Sequence, residues 1–190
     1  MPLPHATALI VVDVQQGFDH PKLGRRNNPE AETNVARLLA GWRESERQIY
    51  HIQHLSTDES SPLQPGLPGI EHKEIAKPLW HEPVITKRVS SAFIGTDLEA
   101  RIRQRMIKTL VICGLTTNHC VDSTTRMAGN LGFETYLAGD ACAAFDRVGP
   151  DGVTYPAEQV HAISLANLHG EFATVQSTDE ILASLVRTFD

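Results

Sequence analysis

The sequence predicts an α/β fold: a doubly wound, mainly parallel six-stranded sheet with helices on both faces, forming a Rossmann-like three-layer sandwich. Strand-like apolar runs alternate with helix-like segments along the 190 residues. Two of these runs, 6–14 and 109–115, are almost unbroken, which is typical of parallel strands buried on both faces. The segments between strands are long enough for the crossovers that parallel pairing requires. We therefore expect residues 1–190 to form a single domain.

The first half of the chain is predicted to contain three strands, two helices and a long loop. In order, these are strand 6–14, helix 29–46, strand 48–54, loop 55–80, strand 83–87 and helix 96–106. Apolar residues recur at helical spacing from Val35 to Trp42. The loop is rich in proline and glycine and is too long for a plain connector, so we expect it to be functional. The letters TDLE at 96–99 have the spacing of a capping box.

The second half repeats the alternation of strand and helix. In order, the predicted elements are strand 109–115, helix 120–131, strand 134–138, helix 157–168, strand 172–176 and a last helix after 177. Gly132 and Gly170 follow two of these helices, where glycine commonly ends a helix. The letters STDE at 177–180 form a second capping box. In doubly wound sheets of this kind, ligands bind beyond the carboxyl ends of the strands.

Composition narrows the range of functions. The 23 acidic and 17 basic residues give a net charge of −6, and no Lys/Arg cluster stands out, so we expect no nucleic-acid partner. No apolar run approaches the ~18 residues of a membrane span. The first residues carry two prolines and no basic residue, unlike a signal peptide. With 3 cysteines, an odd number, the chain is expected to hold reduced thiols and to be cytoplasmic.

Cys120 is the leading candidate nucleophile. It lies in the run GLTTNHCV at 114–121, between a predicted strand and the helix predicted to start at 120. Unpaired N–H groups and the positive end of the helix dipole favour a thiolate at such a turn. The backbone N–H of Cys120 could also stabilise an oxyanion. The alternative is a buried, inert cysteine, as we expect for Cys113 and Cys142.

Asp13 and Lys87 are predicted to lie at the same edge of the sheet as Cys120. Each stands at the carboxyl end of a predicted strand. A thiol nucleophile needs a group that takes its proton and a cation that favours its charged form, and Asp13 and Lys87 supply these. The reaction expected from such a set is acyl transfer. Taken singly, Asp13 could cap a turn and Lys87 could be a solvated charge, so the prediction depends on the three residues occurring together.

Four spaced motifs resemble those of the isochorismatase-like cysteine hydrolases. They are DVQQ at 13–16 with Phe18, Lys87 followed by SSAF at 90–93, GLTTNHCV at 114–121 with Thr124, Thr125 and Ala128, and GDACA at 139–143. By this resemblance, Asp13, Lys87 and Cys120 correspond to the catalytic triad of the family. The resemblance also implies a cis peptide bond between Leu115 and Thr116, and an oxyanion hole formed by the N–H groups of Thr116 and Cys120.

The resemblance further implies a small-molecule substrate and a homo-oligomer, either a dimer or a tetramer. Family members with the cysteine hydrolyse C–N bonds of amides, carbamoyl compounds and lactams. The leading hypothesis is therefore an amidohydrolase that forms a thioester on Cys120. Two alternatives stay open: hydrolysis of the vinyl ether of isochorismate, which some members perform without the cysteine, and a non-catalytic binding scaffold of the same fold.

No cofactor and no required metal are predicted. Nicotinamidases that resemble this chain bind a metal through an Asp-x-His motif and a later histidine, whereas the comparable stretch here reads HIQHLS at 51–56. His54 and His72 without a carboxylate make a poor metal site, so we expect them to serve surface or loop packing.

Four residues near the motifs are predicted to contact substrate: Phe18, Trp80, Phe93 and His119. His119 precedes the nucleophile, and Trp80 follows the long loop and could cap the pocket. Aromatic residues are as often part of a core. We also expect the 55–80 loop to select the substrate.

Overall fold

The computed structural model describes residues 2–185 and contains the predicted sheet. Six parallel strands pair in the order β3-β2-β1-β4-β5-β8. Two short strands, β6 and β7, form a separate antiparallel pair. The strands are β1 (Thr7–Val12), β2 (Ile49–His54), β3 (Val84–Lys87), β4 (Thr109–Leu115), β5 (Glu134–Ala143), β6 (Arg147–Val148), β7 (Thr154–Tyr155) and β8 (Thr174–Gln176).

Helices cover both faces of the sheet, so the predicted three-layer α/β class is confirmed. The helices are α1 (Ala31–Glu44), α2 (Leu98–Gln104), α3 (Asp122–Asn130), α4 (Ala157–Leu168) and α5 (Thr178–Ala183). Trp42 of α1 and Ile181 of α5 pack in one core cluster, and residues of α2, α3 and α4 pack in the other. Among residues 2–185, no helix is long and apolar enough to cross a membrane.

The two central strands explain why the apolar runs are unbroken. Every residue of β1 and of β4 is buried. Leu9 and Val11 belong to the cluster on the α1 face, whereas Ile10 and Val12 belong to the opposite cluster. Because both faces of a central parallel strand are covered, both sets of alternating side chains must be apolar. Polar side chains appear where these strands end, and the candidate site begins there.

One of the two predicted capping boxes is confirmed, whereas the other box and several predicted element boundaries are wrong. The capping box at 177–180 is confirmed, since Ser177 and Glu180 exchange side-chain and backbone hydrogen bonds. The box predicted at 96–99 does not form, because the helix is preceded by Asp97 rather than Thr96, and the Thr96 hydroxyl accepts from the N–H of Leu98 and not from that of Glu99. The strand predicted to end at 138 continues to Ala143, with a shift of its register against β4. The helix predicted from 120 begins instead at Asp122.

Candidate active site

The carboxyl edge of the sheet brings the three predicted catalytic residues together. Asp13 directly follows β1, Lys87 ends β3, and Cys120 lies in the turn after β4. The Lys87 ammonium donates to Oδ2 of Asp13 at 2.6 Å and to the sulfur of Cys120 at 3.1 Å. Lys87 therefore links a carboxylate and a thiol that are distant in the sequence.

Asp13 is held in a buried and uncommon backbone conformation. Its φ angle is +51°, in the left-handed region that few residues other than glycine adopt, and its N–H donates to the carbonyl of Ile52. The residue is fully buried, and its Oδ1 has no hydrogen-bond partner among residues 2–185. Burial raises the pKa of Asp13, although the charge of Lys87 acts in the opposite direction. A buried carboxylate oxygen without a partner is well suited to accept a proton.

The surroundings of Cys120 favour the neutral thiol over the expected thiolate. Burial, and then the negative charge of Asp13, raise the pKa of Cys120 to about 12, although Lys87 lowers it in part. The sequence suggested the helix dipole and Lys87 as stabilisers of the thiolate, but it could not show that the thiol is taken out of water next to a carboxylate.

His54 is a fourth member of the site, which sequence reasoning missed. It ends β2 and is paired in register with Lys87, and its Nδ1 lies 3.0 Å from the Lys87 ammonium. Burial and the charge of Lys87 lower the pKa of His54 to about 4. The expected packing role is therefore wrong for His54. It does describe His72, whose ring packs edge-on against the buried His51. The available signal was that His54 ends a strand at the same edge as Lys87.

The turn that carries Cys120 is a single π-helical turn, Thr117–Val121, which leads into α3. The peptide bond between Leu115 and Thr116 is cis, as the resemblance implies. The N–H groups on either side of Cys120, those of His119 and Val121, both bond to the carbonyl of Thr116. This compact turn places the sulfur opposite Lys87.

The site also contains the ligand types of a metal centre. Within residues 2–185, only Asp13, His54 and Cys120 form a group of three potential ligands, with donor atoms within 4.8 Å of one another. The Lys87 ammonium, however, already bonds to an atom of each of the three. A metal ion would have to displace that cation, so the arrangement suits an ammonium better than a metal. That no metal is required stays a prediction.

Comparison with known proteins identifies the family of this chain. The model of the isochorismatase domain matches residues 7–180. The isochorismatase family protein YrdC of Bacillus subtilis is 49% identical over 181 residues, which cover 95% of this chain and 97% of that protein. The chain belongs to the isochorismatase family. It is an isochorismatase-family hydrolase by this membership, because the family model matches most of its length.

Solved structures of the isochorismatase family have the same architecture. An isochorismatase-family protein from Chromobacterium violaceum matches with a TM-score of 0.93 and 43% identity, covering 97% of both chains. A cysteine hydrolase from Pseudomonas syringae pv. phaseolicola matches with a TM-score of 0.88 and 26% identity, covering 97% of this chain and 94% of that one.

Two of the residues predicted to contact substrate lie beside the turn of this isochorismatase-family chain. His119 is exposed next to Cys120, with its Nδ1 3.4 Å from the hydroxyl of Thr116. Phe18 is half-buried, packs against the small cluster that includes Leu115, and stacks on Phe145 with ring centroids 6.5 Å apart. Their contact with substrate stays a prediction.

The other two such residues differ in their positions. The half-buried ring of Phe93 stacks on Phe133, which precedes β5, and packs against the same core cluster as Cys120, so its contact with substrate stays a prediction. Trp80 is 96% exposed and precedes β3, so it lies at the amino edge of the sheet, whereas Lys87 lies at the carboxyl edge. Its neighbours Leu79 and His81 line a cavity of about 780 Å³ at that amino edge. A role for Trp80 in capping the pocket of its own chain is therefore wrong, because the residue before a strand and the residue that ends it lie at opposite edges.

The 55–80 loop is fastened to the segment that follows β1. The buried side chain of Gln15 bonds to the backbone N–H and carbonyl of His54 and to the carbonyl of Ile70. Lys73 forms ion pairs with Glu32 of α1 and with Asp19. The loop thus follows directly on His54, and its residues Ile70 and Lys73 are held beside the carboxyl edge of the sheet. Sequence reasoning found the loop but not its anchor, Gln15.

Proposed function

We propose that this protein is a cysteine hydrolase that cleaves a C–N bond in a small amide, carbamoyl compound or lactam, with Asp13, Lys87 and Cys120 as its catalytic residues. The observation that carries the proposal is the Lys87 ammonium, which bonds at once to the carboxylate of Asp13 and to the sulfur of Cys120. An ammonium between a proton acceptor and a nucleophile stabilises the transition state in which the sulfur gains negative charge.

The acylation step begins from the neutral thiol. As the sulfur attacks the carbonyl carbon, the thiol proton passes to Asp13, whose Oδ1 is buried without a partner. The carbonyl oxygen becomes an oxyanion, for which the N–H groups of Thr116 and Cys120 are the proposed donors. The tetrahedral intermediate then expels the amine, which takes the proton from Asp13 as the C–N bond breaks. The product of this step is a thioester on Cys120.

Deacylation uses the same groups in reverse. A water molecule attacks the thioester carbon while Asp13 accepts one of its protons. When the C–S bond breaks, the sulfur leaves as a thiolate beside the Lys87 ammonium and recovers the proton from Asp13. The acid product departs, and the site returns to a carboxylate, an ammonium and a thiol. Asp13 thus serves as base and acid in both halves of the reaction.

Cys120 favours C–N hydrolysis over the cleavage of a vinyl ether. Thioester formation requires a nucleophilic sulfur and a base that removes its proton, and both are present within one hydrogen-bonded group. Hydrolysis of a vinyl ether does not require a covalent bond to sulfur. A site built only for that reaction would have no need of a thiol next to a carboxylate.

The test is a screen of primary amides, carbamoyl compounds and lactams for release of ammonia or amine, with isochorismate as a separate arm. We expect Cys120→Ala to lower turnover by a factor on the order of 10³ or more. Acid-quenched wild-type protein should carry an acyl group on the Cys120 peptide by mass spectrometry. Cys142→Ala is the matched control, because Cys142 is a buried cysteine outside this group.

Two results would contradict the proposal. Full activity of Cys120→Ala toward isochorismate would establish the vinyl ether reaction instead. Absence of both turnover and acylation across the whole panel would favour a binding scaffold.

A further inference from the structure

His54 supplies a hydrogen-bond acceptor for the Lys87 ammonium that the other two proposed catalytic residues do not supply. A lysine ammonium carries three N–H donors and has no lone pair. In this site the three donors meet three acceptors: Oδ2 of Asp13 at 2.6 Å, Nδ1 of His54 at 3.0 Å and the sulfur of Cys120 at 3.1 Å. Lys87 is only 2% exposed, so without His54 its third N–H would lack a partner within the buried site.

The ring of His54 is fixed in one tautomer. Because the ammonium has no lone pair, Nδ1 of His54 must accept, and the ring proton resides on Nε2. The backbone of Val89 acts to raise the pKa of His54, as expected of a carbonyl near the ring N–H. The backbone of His54 is held on both sides by the buried amide of Gln15. Gln15, His54 and Lys87 thus form a chain of hydrogen bonds that ends at the sulfur of Cys120.

We propose that His54 is a positioning residue whose Nδ1 holds the Lys87 ammonium between Asp13 and Cys120. This inference rests on the proposed function. A neutral acceptor suits the task, since a carboxylate at the same place would add a second negative charge beside the sulfur. The proposal differs from a cysteine–histidine pair, in which the imidazole takes the thiol proton. Here the lone pair of Nδ1 is already engaged by Lys87.

The experiment compares three substitutions of His54 by the rate at which iodoacetamide alkylates Cys120, followed by peptide mass spectrometry between about pH 6 and about pH 10. Asparagine places an amide oxygen near the position of Nδ1, so His54→Asn keeps an acceptor for Lys87. Glutamine reaches only toward the position of Nε2, and leucine offers no acceptor. His72→Leu is the matched control, because neither ring nitrogen of His72 has a hydrogen-bond partner among residues 2–185.

We expect His54→Leu and His54→Gln to slow alkylation at about pH 8 roughly tenfold, the order expected for a lost hydrogen bond to a charged group. His54→Asn and His72→Leu should stay close to the wild-type rate. In His54→Leu the Lys87 ammonium loses the acceptor that holds it between Asp13 and Cys120. It therefore stabilises the thiolate of Cys120 less well. Thermal unfolding of each variant verifies that it is folded, and His54→Gln serves in place of His54→Leu if leucine prevents folding.

Two outcomes would overturn the positioning role. Equal rates in all variants would mean that Lys87 needs no third acceptor. Rates in His54→Asn as low as in His54→Leu would mean that the imidazole itself takes the proton. Neither outcome depends on a substrate, so they are distinct from failure of the proposed hydrolase activity, which the amide screen tests separately.

Discussion

At the scale of single residues, the charge on Lys87 and the charge on Asp13 act on Cys120 in opposite directions. Lys87 lowers the pKa of the thiol and Asp13 raises it, while burial raises it further to about 12. The ion pair between Lys87 and Asp13 is itself completely buried. These surroundings therefore favour the neutral thiol, and in the proposed mechanism its ionisation is linked to transfer of the proton to Asp13.

Substitution of the two charged residues should change the reactivity of Cys120 with opposite signs. Asp13→Asn removes the negative charge, so we expect a lower pKa and faster alkylation of Cys120 by iodoacetamide. Lys87→Met removes the positive charge, so we expect a higher pKa and slower alkylation. Each change should be about tenfold at about pH 8, which corresponds to about one pKa unit. In the wild type the rate should still be rising at about pH 10, since the pKa is about 12.

The control for these measurements is Arg88→Met. Arg88 is the exposed cation that follows Lys87, so it tests whether general surface charge explains the result. A plateau of the wild-type rate below about pH 8.5, the value of a free thiol, would contradict the neutral resting state.

Sequence reasoning located Asp13, Lys87 and Cys120 because residues that end neighbouring parallel strands share one edge. It could not find the state of the thiol, since burial next to a carboxylate depends on how three distant segments pack. It also missed His54 as a partner of Lys87. That contact depends on the register of β2 against β3, in which His54 is paired with Lys87. The sequence of either strand alone does not determine this register.

At the scale of elements, the turn between β4 and α3 contains a local feature that hydrophobic periodicity does not reveal. The apolar pattern predicted a helix from 120, but the chain first makes one π-helical turn and begins α3 at Asp122. A π turn widens the spacing by about one residue, which is too small a change to alter the hydrophobic pattern. The prediction therefore found the correct strand–turn–helix unit and placed the helix start two residues early.

The 55–80 loop depends on Glu32 of α1 for one of its anchors. Glu32 bonds to Arg26 and to Lys73 of the loop. Burial alone would raise the pKa of Glu32, but these two cations lower it from 4.5 to about 2. Because the pKa is lower in the folded state, the stabilisation is fully present above about pH 4.5 and is lost as the pH falls toward about 2.

We therefore expect Glu32→Gln to lower the melting temperature at neutral pH and to speed amide hydrogen exchange in the 55–80 loop. The difference in melting temperature between wild type and variant should shrink as the pH falls below about 4.5. Glu59→Gln, which changes an exposed carboxylate of the same loop, is the control. A difference that is constant from neutral pH to about pH 3 would show that the carboxylate charge is not what holds the loop.

At the scale of the whole molecule, the two edges of the sheet carry different features. The candidate site, the turn of Cys120 and the part of the 55–80 loop held by Gln15 and Glu32 all lie at the carboxyl edge. The cavity bordered by Leu79 and His81 lies at the amino edge, where β2 and β3 begin, and Trp80 is exposed beside it. The fold class could be predicted because alternation of strand and helix determines it, whereas the edge on which a loop residue emerges depends on the path of the loop.

Trp80→Ala should therefore leave KM and kcat for any amide substrate within about twofold of the wild type. Acrylamide should quench the fluorescence of Trp80 but not that of the fully buried Trp42. The comparison variant is Phe18→Ala, at the side chain that packs near Leu115, for which we expect a clear change in KM. A large rise in KM for Trp80→Ala would mean that Trp80 reaches the site of a neighbouring copy of the chain.

The raised pKa of Cys120 also bears on its oxidation by peroxide. Peroxide oxidises the thiolate to sulfenic acid and reacts far more slowly with the neutral thiol. Cys120 is half-buried, and burial and Asp13 raise its pKa to about 12. We therefore expect peroxide at neutral pH to oxidise Cys120 more slowly than a free thiol, and far more slowly than the permanent thiolate of other cysteine enzymes, as the mass of the Cys120 peptide would show.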